Sequence, residues 1–187
     1  MEFVQPIRDL KKIETMKKLL KQQSLRDYCL FVLGINSGLR ISDLLKLTVV
    51  DVIEKGKVKD RIRLREKKTN KFKDFPLSEN TKQSIKEYLK TRDYKENEPL
   101  FLSRKNKGFL LRQQAYRIIN DVAKSVGIKD RIGTHTLRKT FGYHAYNNGY
   151  DITLIQKLFN HSSPSVTLRY IGITQDEIDD VYLSLDL

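Results

Sequence analysis

The chain has 187 residues, 39% apolar and 32% charged, the balance of a globular domain whose core needs neither disulfide nor metal. Lys and Arg number 36 against 23 Asp and Glu, and the net charge of +13 makes a polyanion the expected partner, nucleic acid ahead of an anionic membrane surface. A single cysteine, Cys29, excludes an internal disulfide framework and a Cys-rich zinc site and fits a reducing cytosol or a secreted protein without bridges, and the longest apolar run, residues 29–33, is far below the roughly 18 residues of a membrane span.

The first residues, 1–6, lack the basic-then-apolar pattern of a signal peptide, so a cytoplasmic protein is expected. An amphipathic helix is predicted over residues 9–22, with Leu10, Ile13, Met16, Leu19 and Leu20 on its apolar face. Ser24 caps a second helix whose apolar run, residues 28–35, marks it as buried. Ser37-Gly38 interrupts it, and a short helix starts near Ser42 with Leu44, Leu45 and Leu47. The period then changes. Ile62 and Leu64 alternate with Arg61, Arg63 and Arg65, so residues 58–75 read as a β-hairpin or three-stranded meander with a strongly basic solvent face.

Ser78 opens the next helix, with Ile85 and Leu89 inside it, and residues 99–102 suggest a short strand. Residues 111–126 are helical with Gly127 at the C-cap. Another helix spans residues 134–146, ended by Asn147-Asn148-Gly149. Asp151 caps a helix to Phe159, and Ser163-Pro164 opens a short one through Tyr170. Thr174 caps the last, on which Ile178, Val181, Tyr182 and Leu185 are apolar. Residues 174–187 carry only acidic charges (Asp176, Glu177, Asp179, Asp180 and Asp186), so this tail is expected to pack on protein and not on the polyanion. The fold expected is mainly α with a small antiparallel β-sheet.

Nucleotide-binding loops, zinc-protease helices and serine-hydrolase elbows are absent, and His135, His144 and His161 lack the neighbours of a metal site. A different group remains. His135 and Arg138 stand three apart in a helical segment and share a face. Arg40 follows Gly38-Leu39 at a helix break, Lys68 lies in the basic hairpin, and a Ser-Ser-Pro turn separates His161 from Tyr170. Together they form a metal-free set for a phosphodiester, with no cofactor. The planar fork of arginine matches phosphate oxygens, and charge grows on those oxygens in the transition state. Tyr170 can act as nucleophile, but a phenol of pKa about 10 needs a base or a cationic field.

These residues also form a recognisable pattern. The run Ser37-Gly38-Leu39-Arg40-Ile41-Ser42-Asp43-Leu44-Leu45-Lys46-Leu47 resembles the first box of the tyrosine recombinase (phage integrase) family. Gly133-Thr134-His135-Thr136-Leu137-Arg138-Lys139-Thr140-Phe141 resembles the second, and Leu158-Phe159-Asn160-His161-Ser162-Ser163 through Thr167-Leu168-Arg169-Tyr170 the third. Lys67-Lys68-Thr69, ahead of Pro76-Leu77, resembles the hairpin that carries the family's lysine.

The resemblance implies a role for each residue. Arg40 and Arg138 bind the scissile phosphate, and Asp43 supports the first arginine. His135 hydrogen-bonds the phosphate or helps to take the tyrosine proton, Lys68 protonates the leaving 5′-oxygen, and His161 donates to a phosphate oxygen. Tyr170 forms a 3′-phosphotyrosyl intermediate on double-stranded DNA, from which a partner strand's 5′-hydroxyl rejoins the chain. Asn160 stands where the family has glycine and tolerates a left-handed backbone. Thr136 replaces a common aspartate and Lys139 a common histidine, and neither is expected to touch the reacting groups.

Each residue also has a plainer reading: Arg40 paired with Asp43, His135 and Arg138 on a solvated helix face, Lys68 as one of several edge lysines with Lys67 and Lys71. Tyr182 competes with Tyr170 as nucleophile, but it lies in the apolar stripe of the tail. Cys29 reads as a buried small hydrophobe. The expectation is a single catalytic domain, residues 1–187, made of a lead-in of residues 1–24, the body and the acidic helix of residues 174–187, without the family's N-terminal clamp domain. A site-specific recombinase for integration or excision of a mobile element is expected, weakly self-associating alone and tetrameric on paired DNA sites, cytoplasmic and held to the nucleoid through DNA. The alternatives are a type IB topoisomerase-like relaxation of DNA and a DNA-binding accessory module without activity.

Overall fold

The structure, a computed structural model, describes residues 4–104 and 107–173 together with Asp179, Leu183 and Ser184. Helix α1 (Leu10–Gln23) starts where Asp9 accepts the N–H groups of Lys11 and Lys12, and it buries Ile13, Met16 and Leu20. Leu10, expected on that face, is 64% exposed because it precedes the stretch that meets the core. Helix α2 (Leu25–Ser37) is capped by Ser24, as expected, and buries an unbroken run from Cys29 to Gly34. It ends at Gly38 in a left-handed conformation with φ +57°, where a Cβ would lie 2.7 Å from the Phe141 ring. Both facts favour glycine there.

Arg40 is the N-cap of α3 (Ile41–Leu44). The single helix expected to carry Leu44, Leu45 and Leu47 is instead two short ones, because Thr48 and Asp51 form a capping box that starts α4 (Val49–Val52). The sheet also differs from expectation. Strands β1 (Ile53–Glu54) and β2 (Lys57–Val58) form one antiparallel ribbon, and β3 (Arg61–Arg65) and β4 (Phe72–Pro76) form another. Strand continuity breaks between them, where the N–H of Lys59 goes back to Val52 and that of Leu77 to Asp60.

In β3 the alternation holds: Ile62 is buried between the exposed Arg61 and Arg63. Register pairs Ile62 with Phe75 and Leu64 with Lys73, so Lys73 turns inward while Phe72 is left 65% exposed. The outer face is less uniformly basic than expected, since Asp74 pairs with Arg61 at 2.7 Å and Arg63 at 3.1 Å.

Ser78 caps α5 (Glu79–Leu89). Residues 99–102 make two isolated bridges, Thr48 to Pro99 and Leu102 to Phe109, in place of a strand. Helices α6 (Arg112–Ser125), α7 (Thr136–Asn147), α8 (Ile152–Phe159) and α9 (Pro164–Ile171) follow. Helix α6 has Val126, not Gly127, at its C-cap. Helix α7 begins two residues later than expected because the Thr136 hydroxyl accepts the Gly133 N–H and donates to the Gln5 carbonyl. His135 is therefore its N-cap.

Two hydrophobic clusters result. The larger joins α1–α6 and both ribbons around residues such as Met16, Phe31, Leu44, Ile62, Ile85 and Phe101. The smaller consists of Tyr143, Ile155, Phe159 and Ile171, with Phe141 and Tyr170 packed on it. Of the expected tail helix, residues 174–178, 180–182 and 185–187 lie outside the described residues, Tyr182 among them.

Candidate active site

Two helix C-termini converge on one guanidinium. Arg138, on α7, is 2% exposed, and it donates through Nη1 to the carbonyl of Gly38 beyond α2 and through Nη2 to that of Phe159 at the end of α8, at 2.8 Å. The negative ends of the helix dipoles favour a cation there, and both carbonyls lose water on burial. Helix α8 closes on Asn160 in a left-handed conformation with φ +54°, which brings the His161 N–H back to Gln156. The asparagine in place of glycine thus holds the backbone that was expected of it.

Arg40 enters from the start of α3 and meets a carboxylate that sequence reasoning missed. Glu66 Oε2 lies 2.7 Å from Arg40 Nη1, an ion pair rather than an aligned hydrogen bond, and Glu66 Oε1 lies 3.9 Å from Arg138 Nη1. Glu66 is 1% exposed and also accepts from the Thr69 hydroxyl at 2.7 Å and the Asn160 amide at 3.2 Å. Burial alone pushes its carboxyl up, but Thr69, Arg40 and the Lys73 charge outweigh burial and hold it below its ordinary value. Asp43, buried on α3, accepts the N–H of Lys67 at 3.1 Å. Its carboxylate therefore fastens the hairpin turn, and the carboxylate paired with Arg40 is Glu66.

Lys68 is exposed in that turn, residues 67–69, and its charge contributes to lowering the pKa of His135. Lys73 is a second lysine at the site. Its Nζ lies 3.4 Å from the Gly38 carbonyl, and burial, then the Arg138 charge, pull its ammonium down to about 8 against the opposing Glu66. Arg112 on α6 is a further missed neighbour, with Nη2 3.4 Å from His135 Nε2. Burial first, then Arg112, Lys139, Arg138 and Lys68, lower the His135 pKa, favouring a neutral ring able to accept a proton.

His161 is half-buried, with Nδ1 3.1 Å from the Thr167 hydroxyl and its ring centroid 4.8 Å from that of Tyr170. Burial, Arg138 and Arg40 bring its pKa down to about 4. Tyr170 rides on α9, which starts at Pro164 after the Ser163 cap. Burial pushes its phenol up, while the Arg138 and Arg40 charges pull it down. One expectation is corrected here: Lys139, 5% exposed, lies 5.2 Å from the Tyr170 ring centroid and so touches the ring of a candidate site residue. His144, by contrast, contacts the Ile7 carbonyl at 2.9 Å, and Cys29 is fully buried with its thiol pushed up to about 12.

The structure thus brings Arg40, Arg138, His161 and Tyr170 to one place, with the Lys68 turn and His135 at its edge. Among the described residues, no group of three or more His, Cys, Asp or Glu side chains forms a metal site, and no helix is long and apolar enough to cross a membrane.

The family model described as the phage integrase family matches residues 8–177. The probable integrase/recombinase YoeC of Bacillus subtilis (strain 168) is 50% identical over 182 residues, which cover 97% of each chain. Among solved structures, the XerA recombinase superposes with a TM-score of 0.76 at 22% identity, over 98% of this chain and 64% of its own. The XerH site-specific recombinase bound to palindromic difH substrate, in a post-cleavage complex, superposes with a TM-score of 0.73 at 19% identity, over 93% of this chain and 51% of its own. These two likenesses concern the fold, and the chain spans between about half and two thirds of their lengths.

Proposed function

The chain belongs to the phage integrase family, the tyrosine recombinases, and from that membership we propose that it cuts and rejoins double-stranded DNA at specific sites through Tyr170, in the integration or excision of a mobile element. The recombinase relatives favour this over the topoisomerase alternative. The observation that carries it is the buried Arg138, which bonds the Gly38 and Phe159 carbonyls and whose charge opposes the upward push of burial on the Tyr170 phenol.

Arg40 and Arg138 hold the two non-bridging oxygens of the phosphate, where fixed guanidinium groups stabilise the charge of the transition state. Tyr170 Oη attacks phosphorus. Its proton passes to neutral His135, the P–O5′ bond breaks, and Lys68 protonates the departing 5′-oxygen. The Thr167 hydroxyl gives its hydrogen to the Ser163 carbonyl and accepts from His161 Nδ1, so His161 donates to a phosphate oxygen from Nε2 as the imidazolium, the form that the phosphate charge favours. Asp43 steadies the turn that bears Lys68. The 5′-hydroxyl of a partner strand then displaces the tyrosine, so no external energy source is consumed.

The protein acts as a homotetramer on paired DNA sites and associates weakly without DNA, in the cytoplasm and on the nucleoid. An apolar groove of about 460 Å³ between α1, α2, α7 and α8 supports this arrangement. Leu154, Leu158 and Tyr150 are exposed along it, and Lys17 at its edge is paired with Glu14 at 2.6 Å. The apolar residues Ile178, Val181, Tyr182 and Leu185 of segment 174–187 in a neighbouring copy suit that groove. Deleting residues 175–187 should abolish paired-site complexes, and unchanged complexes would remove the tail from the assembly.

Covalent capture tests the chemistry. Wild type and Tyr170→Phe are incubated in EDTA with nicked duplexes from a random-sequence pool, and SDS-resistant complexes are sequenced. A wild-type-only adduct is expected, together with affinity that falls steeply with salt. Salt-sensitive binding without an adduct would favour the accessory-module reading.

A further inference from the structure

Glu66 is the point at which all the parts of the site meet. Its carboxylate reaches Arg40 at 2.7 Å from the first box, Arg138 at 3.9 Å from the second and Asn160 at 3.2 Å, next to His161, from the third. Its fourth contact, the Thr69 hydroxyl at 2.7 Å, belongs to the residue after Lys68. The Glu66 backbone is bound into the same turn: its N–H goes to the Lys71 carbonyl, and its own carbonyl accepts the Asn70 N–H, both at 2.9 Å.

Lys68 is exposed at the tip, so the reach of its ammonium follows from where the turn's backbone stands. We propose that Glu66 is a positioning residue for the leaving-group acid: by holding Thr69 against the paired arginines, it registers the Lys68 turn to the seat of the scissile phosphate. This rests on the cleavage reading above.

Charge supports the same role. Arg40, Arg138 and Lys73 bring three positive charges, and Glu66 and Asp43 two negative ones, so these five groups around the Glu66 carboxylate carry 3 − 2 = +1. A phosphodiester monoanion balances that excess. With Gln at position 66 the excess becomes +2 and phosphate attraction is not lost, while the turn loses its charged anchor. Glu66→Gln therefore separates binding from chemistry: DNA affinity is kept and bond cleavage slows. A residue that merely held the fold together would weaken both.

The reaction supplies the sharper readout. In cleavage the Tyr170 O–P bond forms, the P–O5′ bond breaks, the phenol proton passes to His135 and a proton from Lys68 goes to the 5′-oxygen. If sulfur replaces the 5′-bridging oxygen, the P–S bond breaks and the thiolate leaves without that proton. A defect in delivering the Lys68 proton disappears on the sulfur substrate, and a defect in holding the phosphate does not.

The experiment compares single-turnover adduct formation on nicked duplexes with oxygen or sulfur at the bridge. The full chain is used as wild type, Lys68→Ala, Glu66→Gln and Thr69→Val. Lys68→Ala is expected to lose about 10²- to 10³-fold on oxygen, the scale of general-acid catalysis, and to recover on sulfur. Glu66→Gln and Thr69→Val should lose about 10-fold or more on oxygen, a fraction of that scale, and return to within about 3-fold of wild type on sulfur.

Equal loss on both substrates by Glu66→Gln and Thr69→Val, or no loss, would overturn the proposal. Thr69→Val, which removes the hydroxyl bonds to Glu66 and to the Lys71 N–H and leaves the Arg40 ion pair intact, decides the matter should Glu66→Gln not fold. Wild type without an adduct on either substrate would strike the cleavage reading itself; a cleaving wild type beside an unrescued Glu66→Gln and Thr69→Val strikes this proposal alone.

Discussion

Arg40 and the Lys68 turn are built on the larger hydrophobic cluster, next to Leu39, Ile41, Leu44 and Ile62, all at most 5% exposed. Tyr170 is built on the smaller cluster of Tyr143, Ile155, Phe159 and Ile171. Arg138 belongs to both, stacked 4.3 Å over the Phe159 ring while bonded to the Gly38 carbonyl. Local opening costs least where few apolar side chains are buried. Arg40 and the Lys68 turn are thus the stiff half of the site, and α8–α9, which carry Tyr170, are the half that yields. An enzyme that must bring its nucleophile to a bound phosphate and later release it is served by that division.

The comparison can be broken in several ways. The largest effect is expected from Tyr170→Phe, which should lower adduct formation by about 10⁴-fold or more, as loss of a nucleophile does, while DNA binding stays near wild type. Binding that falls as far as cleavage would give Tyr170 a place in the seat instead. Arg138→Lys, which replaces the planar fork with a point charge, should slow cleavage by about 10²- to 10³-fold. Because the Gly38 carbonyl keeps Lys73 while that of Phe159 loses its guanidinium donor, urea denaturation should show a loss of about 1–3 kcal/mol.

A pair of cavity variants sharpens the contrast. Leu30→Ala, in the larger cluster, should lower global stability by about 2–5 kcal/mol. Ile171→Ala should appear instead as faster amide hydrogen exchange confined to α8 and α9. Equal effects of the two on the exchange of α2 would make the clusters one cooperative unit.

The smallest effects are in pH. The folded pKa of His161, about 4, is below the ordinary 6.5, so between those values the unfolded chain binds more protons and stability rises with pH. Lys73, about 8 against 10.5, acts the same way on the alkaline side, so its share of stability rises between about 8 and 10.5. His161→Gln should flatten the acid slope of stability in urea and Lys73→Met the alkaline one, and an unchanged slope in either would deny that burial depresses that group.

The helical part of the site was legible because short motifs on helices fix which side chains share a face. Arg40 at a helix break, His135 with Arg138, and Tyr170 after Ser163-Pro164 all follow from spacing. The hairpin part was not. Glu66 follows the last alternating arginine and reads as a polar turn residue, and its burial depends on Thr69 and Asn160 closing over it. Phe72 and Phe75 are three apart and cannot share a strand face, so composition alone does not say that Lys73 is the residue turned inward. Lys139, in place of the family's common histidine, was not expected to touch the reacting groups; its contact with Tyr170 depends on how closely α7 and α9 pack. Pairing of strands and pairing of helices are both long-range facts, and a periodicity carries neither.

That close packing turns on Gly142. A Cβ there would stand 2.6 Å from Ile171 Cγ2 and 2.7 Å from the Phe159 ring, so a side chain of even one carbon must push α8 and α9 away from α7. Tyr170 immediately precedes Ile171, and a displacement on the order of 1 Å can cost an in-line attack about 100-fold. The reach of the Tyr170 hydroxyl is therefore gauged by an atom the chain leaves out, as a machinist sets a clearance by removing a shim.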